Sequence, residues 1–106
     1  MSQRAALHQI PGQKEFDPPL DPGIRRAVVI LQEAGVETFE SCEGGDGHSY
    51  PEPTVAFHGD RSEGLRALAV AMRAGLPVSA LRRVWPIQDG EPTGPCWEIT
   101  LTAPER

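Results

Sequence analysis

Apolar residues recur at helical spacing in two segments of the chain. The apolar stripe of the first segment consists of Ile24, Ala27, Val28, Leu31 and Ala34. Asp21 and Pro22 precede this stripe, and Gly35 follows it. An aspartate and a proline favour the start of a helix, and glycine permits the left-handed conformation that often ends one. The pattern therefore predicts a helix between Asp21 and Gly35.

The second helical segment begins at Asp60, and Glu63 follows three residues later. This spacing resembles a capping box, in which the two side chains cap backbone N–H groups at the start of a helix. The apolar stripe of this segment consists of Leu65, Leu68, Ala69 and Met72. We expect the stripe to face the core, Arg66 and Arg73 to lie in solvent, and Gly75 to end the helix.

Four further segments have the composition and alternation of β-strands. They span residues 36–42, 53–58, 77–87 and 96–102. The last segment alternates strictly, with Trp97, Ile99 and Leu101 on the side that we expect to be buried. Residues 88–95 contain Asp89-Gly90 and two prolines, which predict a turn.

The order of these segments predicts one α+β domain, a two-layer sandwich of the type αββαββ. Its four-stranded, mostly antiparallel sheet would carry both helices on one face. Residues 21–59 and 60–102 form two similar αββ units, since each opens with an aspartate and each helix ends in Ala-Gly. This similarity predicts an internal repeat. Residues 1–20 show no periodicity and are predicted to form an extended N-terminal arm, and residues 103–106 a short tail.

The sheet face without helices is a candidate ligand platform. Glu40, His58 and Glu98 are predicted to lie on it. The third strand adds one of two sets, either Arg82, Val84 and Pro86 or Arg83 and Trp85. An ordinary solvated face and a homodimer surface fit the same pattern.

Composition and charge narrow the classes of function. The chain has 106 residues, of which 39% are hydrophobic and 24% charged, as expected for a single folded domain. The net charge of −5 argues against general nucleic-acid binding, which requires an excess of Lys and Arg. Residues 33–60 contain seven acids and no Lys or Arg, whereas residues 61–83 contain five arginines and one acid. The first segment favours cations or a basic partner and the second favours an acidic group, unless both are simply solvated surface.

The two cysteines, with no apolar leader and no apolar run long enough to span a membrane, predict a reduced cytoplasmic protein. One cysteine lies in the glycine-rich segment of residues 41–50, together with a histidine. Cys42 and His48 have ligand atoms that suit a divalent metal, with His58, Asp46 and Glu43 as further candidate ligands. The paired CxxC and HxxxH spacings are absent, so no particular cofactor is assigned. A packed cysteine and an ordinary loop histidine fit equally well.

A catalytic interpretation of the same segment gives Cys42 the role of nucleophile, His48 that of base and either Asp46 or Glu43 that of orienting acid. The amides of Gly44, Gly45 and Gly47 would form an anion-binding nest. The surrounding acids oppose an unassisted thiolate and a phosphate ligand, and they favour cations. The full set of predicted ligand-binding residues is Glu40, Ser41, Glu43, Gly44, Gly45, His58, Arg83, Trp85 and Glu98.

The segment from Gly35 to His48 contains the block G-x-x-T-x-x-S-C-x-G followed by histidine, and a P-x-V-x-F strand comes after it. This pattern resembles small bacterial and phage proteins that share the block. The resemblance implies that the loop is one unit, and it implies no particular activity. Ser41, Cys42 and Gly44 are also similar to an element of tRNA-modifying methyltransferases, but the present chain is shorter and acidic, so that activity is not carried over.

These observations predict a small cytoplasmic module, of a bacterial or phage accessory type, that binds an unknown small ligand or a protein. Its site would lie at residues 41–50 and on the adjoining sheet face. Two alternatives remain open from the sequence. One is an enzyme that uses Cys42 and His48, with or without a metal, and the other is a structural homodimer formed through the sheet face.

Overall fold

A computed structural model describes residues 21–104, so the predicted N-terminal arm and the last two residues lie outside the described part. Two helices and six strands follow in the order α1 (Pro22–Glu33), β1 (Thr38–Cys42), β2 (Thr54–Phe57), α2 (Arg61–Arg73), β3 (Val78–Val84), β4 (Ile87–Gln88), β5 (Glu91–Pro92) and β6 (Cys96–Leu101). The predicted α+β class is confirmed. Neither helix within residues 21–104 is long and apolar enough to cross a membrane.

Four strands form one antiparallel sheet in the order β1-β2-β6-β3, as the predicted four-stranded sheet requires. The remaining strands, β4 and β5, form a separate hairpin in the segment that was predicted to be a plain turn. Asp89 and Gly90 both have positive φ angles, 53° and 80°, as expected for the tight two-residue turn that suits a hairpin. The observed order therefore contains two more strands than αββαββ, and the internal repeat stays a prediction.

The core joins both helices to alternate residues of the central strands. Helix α1 contributes the predicted residues Ile24, Ala27, Val28 and Leu31. Val55 and Phe57 of β2 and Trp97, Ile99 and Leu101 of β6 complete most of the cluster. We call the opposite side of the sheet the second face. The strand registers place on it Glu40, Cys42, Thr54, Ala56, Ala80, Arg82, Val84, Cys96, Glu98 and Thr100.

Helix α2 packs on a different side from the predicted one. Its buried residues are Gly64, Ala67 and Ala71, whereas Leu65 and Met72 are 57% and 61% exposed. The predicted inward stripe is therefore wrong. The indole of Trp97 fills the space beneath the helix, and a Cβ at Gly64 would lie only 2.5 Å from Trp97 Cε2. Small residues allow this close approach, so volume and not hydrophobicity decides which side of α2 is buried.

The register of β3 settles which of its residues share the second face. Arg82 pairs with Glu98 and Val84 pairs with Cys96. Of the two predicted sets, the one with Arg82, Val84 and Pro86 is therefore correct for Arg82 and Val84. Arg83 pairs with Trp97 on the core side, and its guanidinium carbon lies 4.7 Å from the centre of the Trp97 ring. Trp85 follows the end of β3 and is exposed. Arg83 therefore does not lie on the predicted ligand platform.

Candidate functional site

The start of α1 meets the loop between β1 and β2 through an exchange of hydrogen bonds. Asp21 occupies the N-cap position, but its side chain makes no cap to its own helix. Its Oδ2 instead accepts a hydrogen bond of 3.3 Å from the backbone N–H of Glu43. Glu43 Oε1 in turn accepts one of 2.8 Å from the backbone N–H of Gly23. The loop therefore caps the helix, and the carboxylate of Asp21 is turned toward the loop.

Glycines allow this close approach. A Cβ at Gly23 would lie 2.5 Å from Glu43 Oε1, and one at Gly44 would lie 2.5 Å from the backbone carbon of Glu52. Gly44 also has a φ of +83°, in the left-handed region that favours glycine. The loop then doubles back on itself, because the Gly45 N–H donates to the Pro51 carbonyl at 3.1 Å. This fold of the loop brings His48 back toward the end of β1.

Three side chains of different types converge at this point. Cys42 Sγ lies 3.5 Å from His48 Nδ1, and the same nitrogen lies 3.9 Å from Asp21 Oδ2. One ligand atom from each residue lies within 4.8 Å of the others. Cys42 is buried, while the side chains of His48 and Asp21 are 34% and 42% exposed. The group is thus anchored in the protein on its cysteine side and reachable from solvent on the other.

The geometry differs from that of a catalytic relay. In a relay of nucleophile, histidine and acid, the two partners use different nitrogens of the imidazole ring. Here the thiol sulfur and the carboxylate oxygen both approach Nδ1. Asp21 therefore cannot orient the ring from one side while Cys42 is activated from the other. This arrangement disfavours the predicted roles of nucleophile for Cys42 and base for His48.

Metal coordination requires this kind of convergence. A zinc ion bound at about 2.3 Å to sulfur and about 2.0 Å to nitrogen holds the two ligand atoms roughly 3.5 Å apart in a tetrahedral site. The observed Cys42–His48 distance is 3.5 Å. Thiolate, imidazole and carboxylate are also the three ligand types that zinc accepts. The donor set formed by Asp21, Cys42 and His48 therefore fits a divalent transition metal.

Backbone groups hold two of these donors in place. The N–H of Gly44 lies 3.4 Å from Cys42 Sγ as a donor, and the N–H of Glu43 donates to Asp21 Oδ2. Hydrogen bonds of this kind orient metal ligands and tune their affinity. Two amides of the predicted anion nest, those of Gly44 and Gly45, donate within the protein to Cys42 Sγ and to the Pro51 carbonyl.

Two predicted participants lie away from this group. Asp46, the predicted orienting acid, is exposed in the loop, and Asp21 is the acid that approaches His48. His58, the predicted third metal ligand, follows the far end of the β1–β2 pair. Its ring stacks on Phe39 with a centroid distance of 4.3 Å, and its amide donates to the Glu37 carbonyl. His58 therefore does not join Cys42 and His48.

Further along the second face, Glu40 and Glu98 lie beneath Tyr50. The Tyr50 hydroxyl donates to Glu40 Oε1 at 3.3 Å. Burial, followed by the charges of Glu40 and Glu98, raises the pKa of Tyr50 well above its usual range. Burial, with the same two acids, also raises the pKa of Cys96, so its thiol is held neutral. This part of the face is therefore acidic and offers hydrogen-bond acceptors.

The remaining predicted ligand-binding residues have different surroundings. Ser41 pairs with Val55 and so points to the core side of the sheet. Ala80 of β3 lies in the same cross-strand row as Cys42, Thr54 and Thr100. Arg83 lies toward the opposite end of β3, and Trp85 lies just beyond that end. The β1–β2 loop contains Glu43, Gly44 and Gly45, whereas Glu40 lies within β1. The described structure thus places only the loop members of the set beside Cys42 and His48.

Comparison with protein-family models, with curated proteins and with solved structures finds no significant match. Two site residues had no signal of their own in the sequence. Asp21 looked like an ordinary helix cap, and Tyr50 marked only the end of the loop. Their roles depend on contacts with Glu43 and Glu98, which are distant in the chain.

Proposed function

We propose that this protein is a small ligand-binding domain whose ligand is held by a divalent transition-metal ion at Asp21, Cys42 and His48. The observation that carries the proposal is the approach of a sulfur and a carboxylate oxygen to the same imidazole nitrogen, at 3.5 and 3.9 Å. Backbone N–H groups already donate to the sulfur and to the carboxylate oxygen, so both atoms are held in position beside the ring nitrogen. A bound cation would attract both of them.

The set of three protein ligands supports a role in binding an external molecule. Structural zinc sites commonly use four protein ligands, whereas sites that act on a substrate keep a position for water or for the substrate. The partial exposure of His48 and Asp21 leaves room for such a ligand. Glu40 and Glu98 on the adjoining second face favour a neutral or cationic ligand over a phosphate.

The experiment is a calorimetric titration of the metal-free 106-residue protein with zinc. Each proposed ligand has a matched control of the same residue type elsewhere in the fold. Cys42→Ser is compared with Cys96→Ser, His48→Ala with His58→Ala, and Asp21→Asn with Asp46→Asn. Loss of a ligand should weaken zinc binding by more than about 100-fold, because changes to mere supporting residues already cost about 10–100-fold. The three controls should bind zinc like the unaltered protein.

Two results would count against this proposal. The first is a protein that binds no zinc although circular dichroism shows it to be folded. The second is an equal loss of affinity in the members of a matched pair, above all in Asp21→Asn and Asp46→Asn. In that case the binding would depend on the general acidity of the loop.

A metal-activated water is the second candidate function, and the exposed side of the three-ligand set favours it. Zinc lowers the pKa of a bound water enough to supply hydroxide near neutral pH. The zinc-loaded protein should then hydrolyse an activated ester faster than zinc in buffer, and His48→Ala should abolish the difference. A rate equal to that of free zinc would limit the site to binding.

A further inference from the structure

The exposed flank of α2 carries two large apolar residues that have no role in the core. Gly64, Ala67 and Ala71 face the sheet, and the guanidinium of Arg66 donates to the Ala34 carbonyl at the end of α1 at 2.6 Å. The Arg66 side of α2 therefore faces α1. Successive helical residues are about 100° apart, which places Leu65 and Met72 on the flank opposite Arg66. This flank faces away from α1.

The same flank points toward an unpaired edge of the sheet. Helix α1 packs against β1 and β2, whereas α2 packs against β3. Strand β3 ends the order β1-β2-β6-β3, and no strand within residues 21–104 pairs with its outer side. The backbone groups on that side can therefore form hydrogen bonds with an added strand. We call β3 together with Arg61, Leu65 and Met72 the β3 edge.

The β3 edge is basic although the protein is acidic overall. Arg82 and Arg83 lie on β3, and the exposed residue Arg61 lies at the start of α2 on the same flank as Leu65. The one acid of α2, Glu63, is engaged by Arg66 at 2.9 Å. Glu98 lies opposite Arg82 in the register of β3 and β6, and the remaining surplus of positive charge contrasts with the net charge of −5 for the chain. It would attract an acidic partner over a neutral or basic one.

We propose that the β3 edge binds an acidic peptide segment of another protein in extended conformation. The segment adds to the sheet beside β3, so its backbone supplies the missing hydrogen bonds. Its alternate side chains then point to opposite sides. Apolar side chains on the helix side bury Leu65 and Met72, and acidic side chains on the second face approach Arg82.

Charge also disfavours a second copy of the chain at this edge. A symmetric pair would bring the arginines of both copies into one interface, and like charges placed together oppose association. Charged residues on edge strands protect many sheets against such self-pairing. The register shift between Val78 and Ala80 further limits flat pairing with an identical strand. The arginines thus exclude a copy of the protein and at the same time select an acidic strand.

Fluorescence anisotropy with the 106-residue protein and three synthetic peptides tests this proposal. The first peptide alternates leucine with glutamate and matches β3 in length. The second carries lysine in place of glutamate, and the third has N-methyl groups on alternate backbone amides. The glutamate peptide should bind, with an affinity that falls as salt is added. The lysine peptide and the N-methylated peptide should not bind.

Variants locate the binding surface. Leu65→Ser and Met72→Ser should each weaken binding about tenfold, which corresponds to about 1.4 kcal/mol of lost apolar contact. Arg82→Gln should weaken binding and reduce its salt dependence. Phe39→Ser, at an exposed apolar position on the other edge strand, is the matched control and should have no effect. All four positions are exposed, so these variants are expected to fold.

Three outcomes would overturn the proposal. They are a glutamate peptide that does not bind, a lysine peptide that binds equally well, and an affinity that Leu65→Ser leaves unchanged. A fourth outcome would assign the edge to a different occupant. If light scattering showed a dimer of the unaltered protein that dissociates in Leu65→Ser, the β3 edge would be an interface between two copies of the chain.

Discussion

His48 is the residue on which the metal site depends most directly. Its Nδ1 lies 3.5 Å from Cys42 Sγ and 3.9 Å from Asp21 Oδ2, the other two donors of the proposed metal site. The backbone fixes both of these donors through the amides of Gly44 and Glu43. A metal would therefore meet donors that are already oriented, which lowers the entropic cost of binding.

Tyr50 gives a separate test of the acidic second face. Its pKa is raised by burial and by Glu40 and Glu98, so folding favours the neutral phenol. The stabilisation is fully present below the ordinary tyrosine pKa of about 10, and it is lost as the pH rises above that value. Because the chain contains one tyrosine, the change in ultraviolet absorbance that accompanies phenolate formation reports Tyr50 alone. Phenolate should appear only well above pH 10 in the folded protein.

Two results bear on this prediction. Tyr50→Phe should lower the free energy of unfolding at neutral pH by about 1 kcal/mol, because the bond to Glu40 is lost. A phenolate that forms near pH 10 while the protein is still folded would contradict the description of the second face.

At the level of elements, local signals in the sequence located the helices well. The stripe of α1 is buried as predicted except for Ala34, which is the C-cap. Asp60 Oδ1 accepts a hydrogen bond from the Glu63 N–H at 2.9 Å, which is one half of the predicted capping box, while the Glu63 carboxylate accepts from Arg66. The buried side of α2 was wrong because its choice depends on the volume of Trp97, which comes from a distant strand. The spacing of apolar residues along the chain does not take such a steric contact into account.

Gly64→Ala tests this explanation. Alanine normally stabilises a helix by about 1 kcal/mol relative to glycine. At this position its Cβ would lie 2.5 Å from Trp97, and overpacking of this kind costs about 1–3 kcal/mol. Urea denaturation should therefore show a protein that is no more stable than the original, or less stable by about 1–2 kcal/mol.

Ser62→Ala, on the exposed side of the same helix, is the control, and it should be neutral or slightly stabilising. A gain of about 1 kcal/mol from Gly64→Ala would contradict the packing of α2 against Trp97.

For the whole molecule, the two surfaces of interest lie apart and have opposite charge. The proposed metal site and Tyr50 lie among acids at the β1–β2 loop, and the β3 edge with its arginines lies at the opposite edge of the sheet. The charge asymmetry was visible in the sequence as residues 33–60 and 61–83. In the folded protein, the acidic segment and the arginine-rich segment form two separate surfaces.

The site itself was only half predictable. Cys42 and His48 attracted attention because reactive residues are close together in a glycine-rich loop. Asp21 could not be found in the same way, since it joins the loop only when α1 packs beside β1. For the same reason Asp46 and His58, which are nearer to the loop in the chain, were chosen in its place. Only the fold shows that Asp21 and not Asp46 approaches Nδ1.

The most direct test of the metal site is the absorption spectrum of the 106-residue protein titrated with cobalt(II), an ion that takes the place of zinc and absorbs visible light. We expect a sulfur-to-cobalt charge-transfer band and the strong visible bands of a tetrahedral ion, both unchanged in Cys96→Ser and Asp46→Asn. The charge-transfer band should be absent from Cys42→Ser, and the visible bands should be altered in Asp21→Asn. A spectrum like that of cobalt in water would contradict the site.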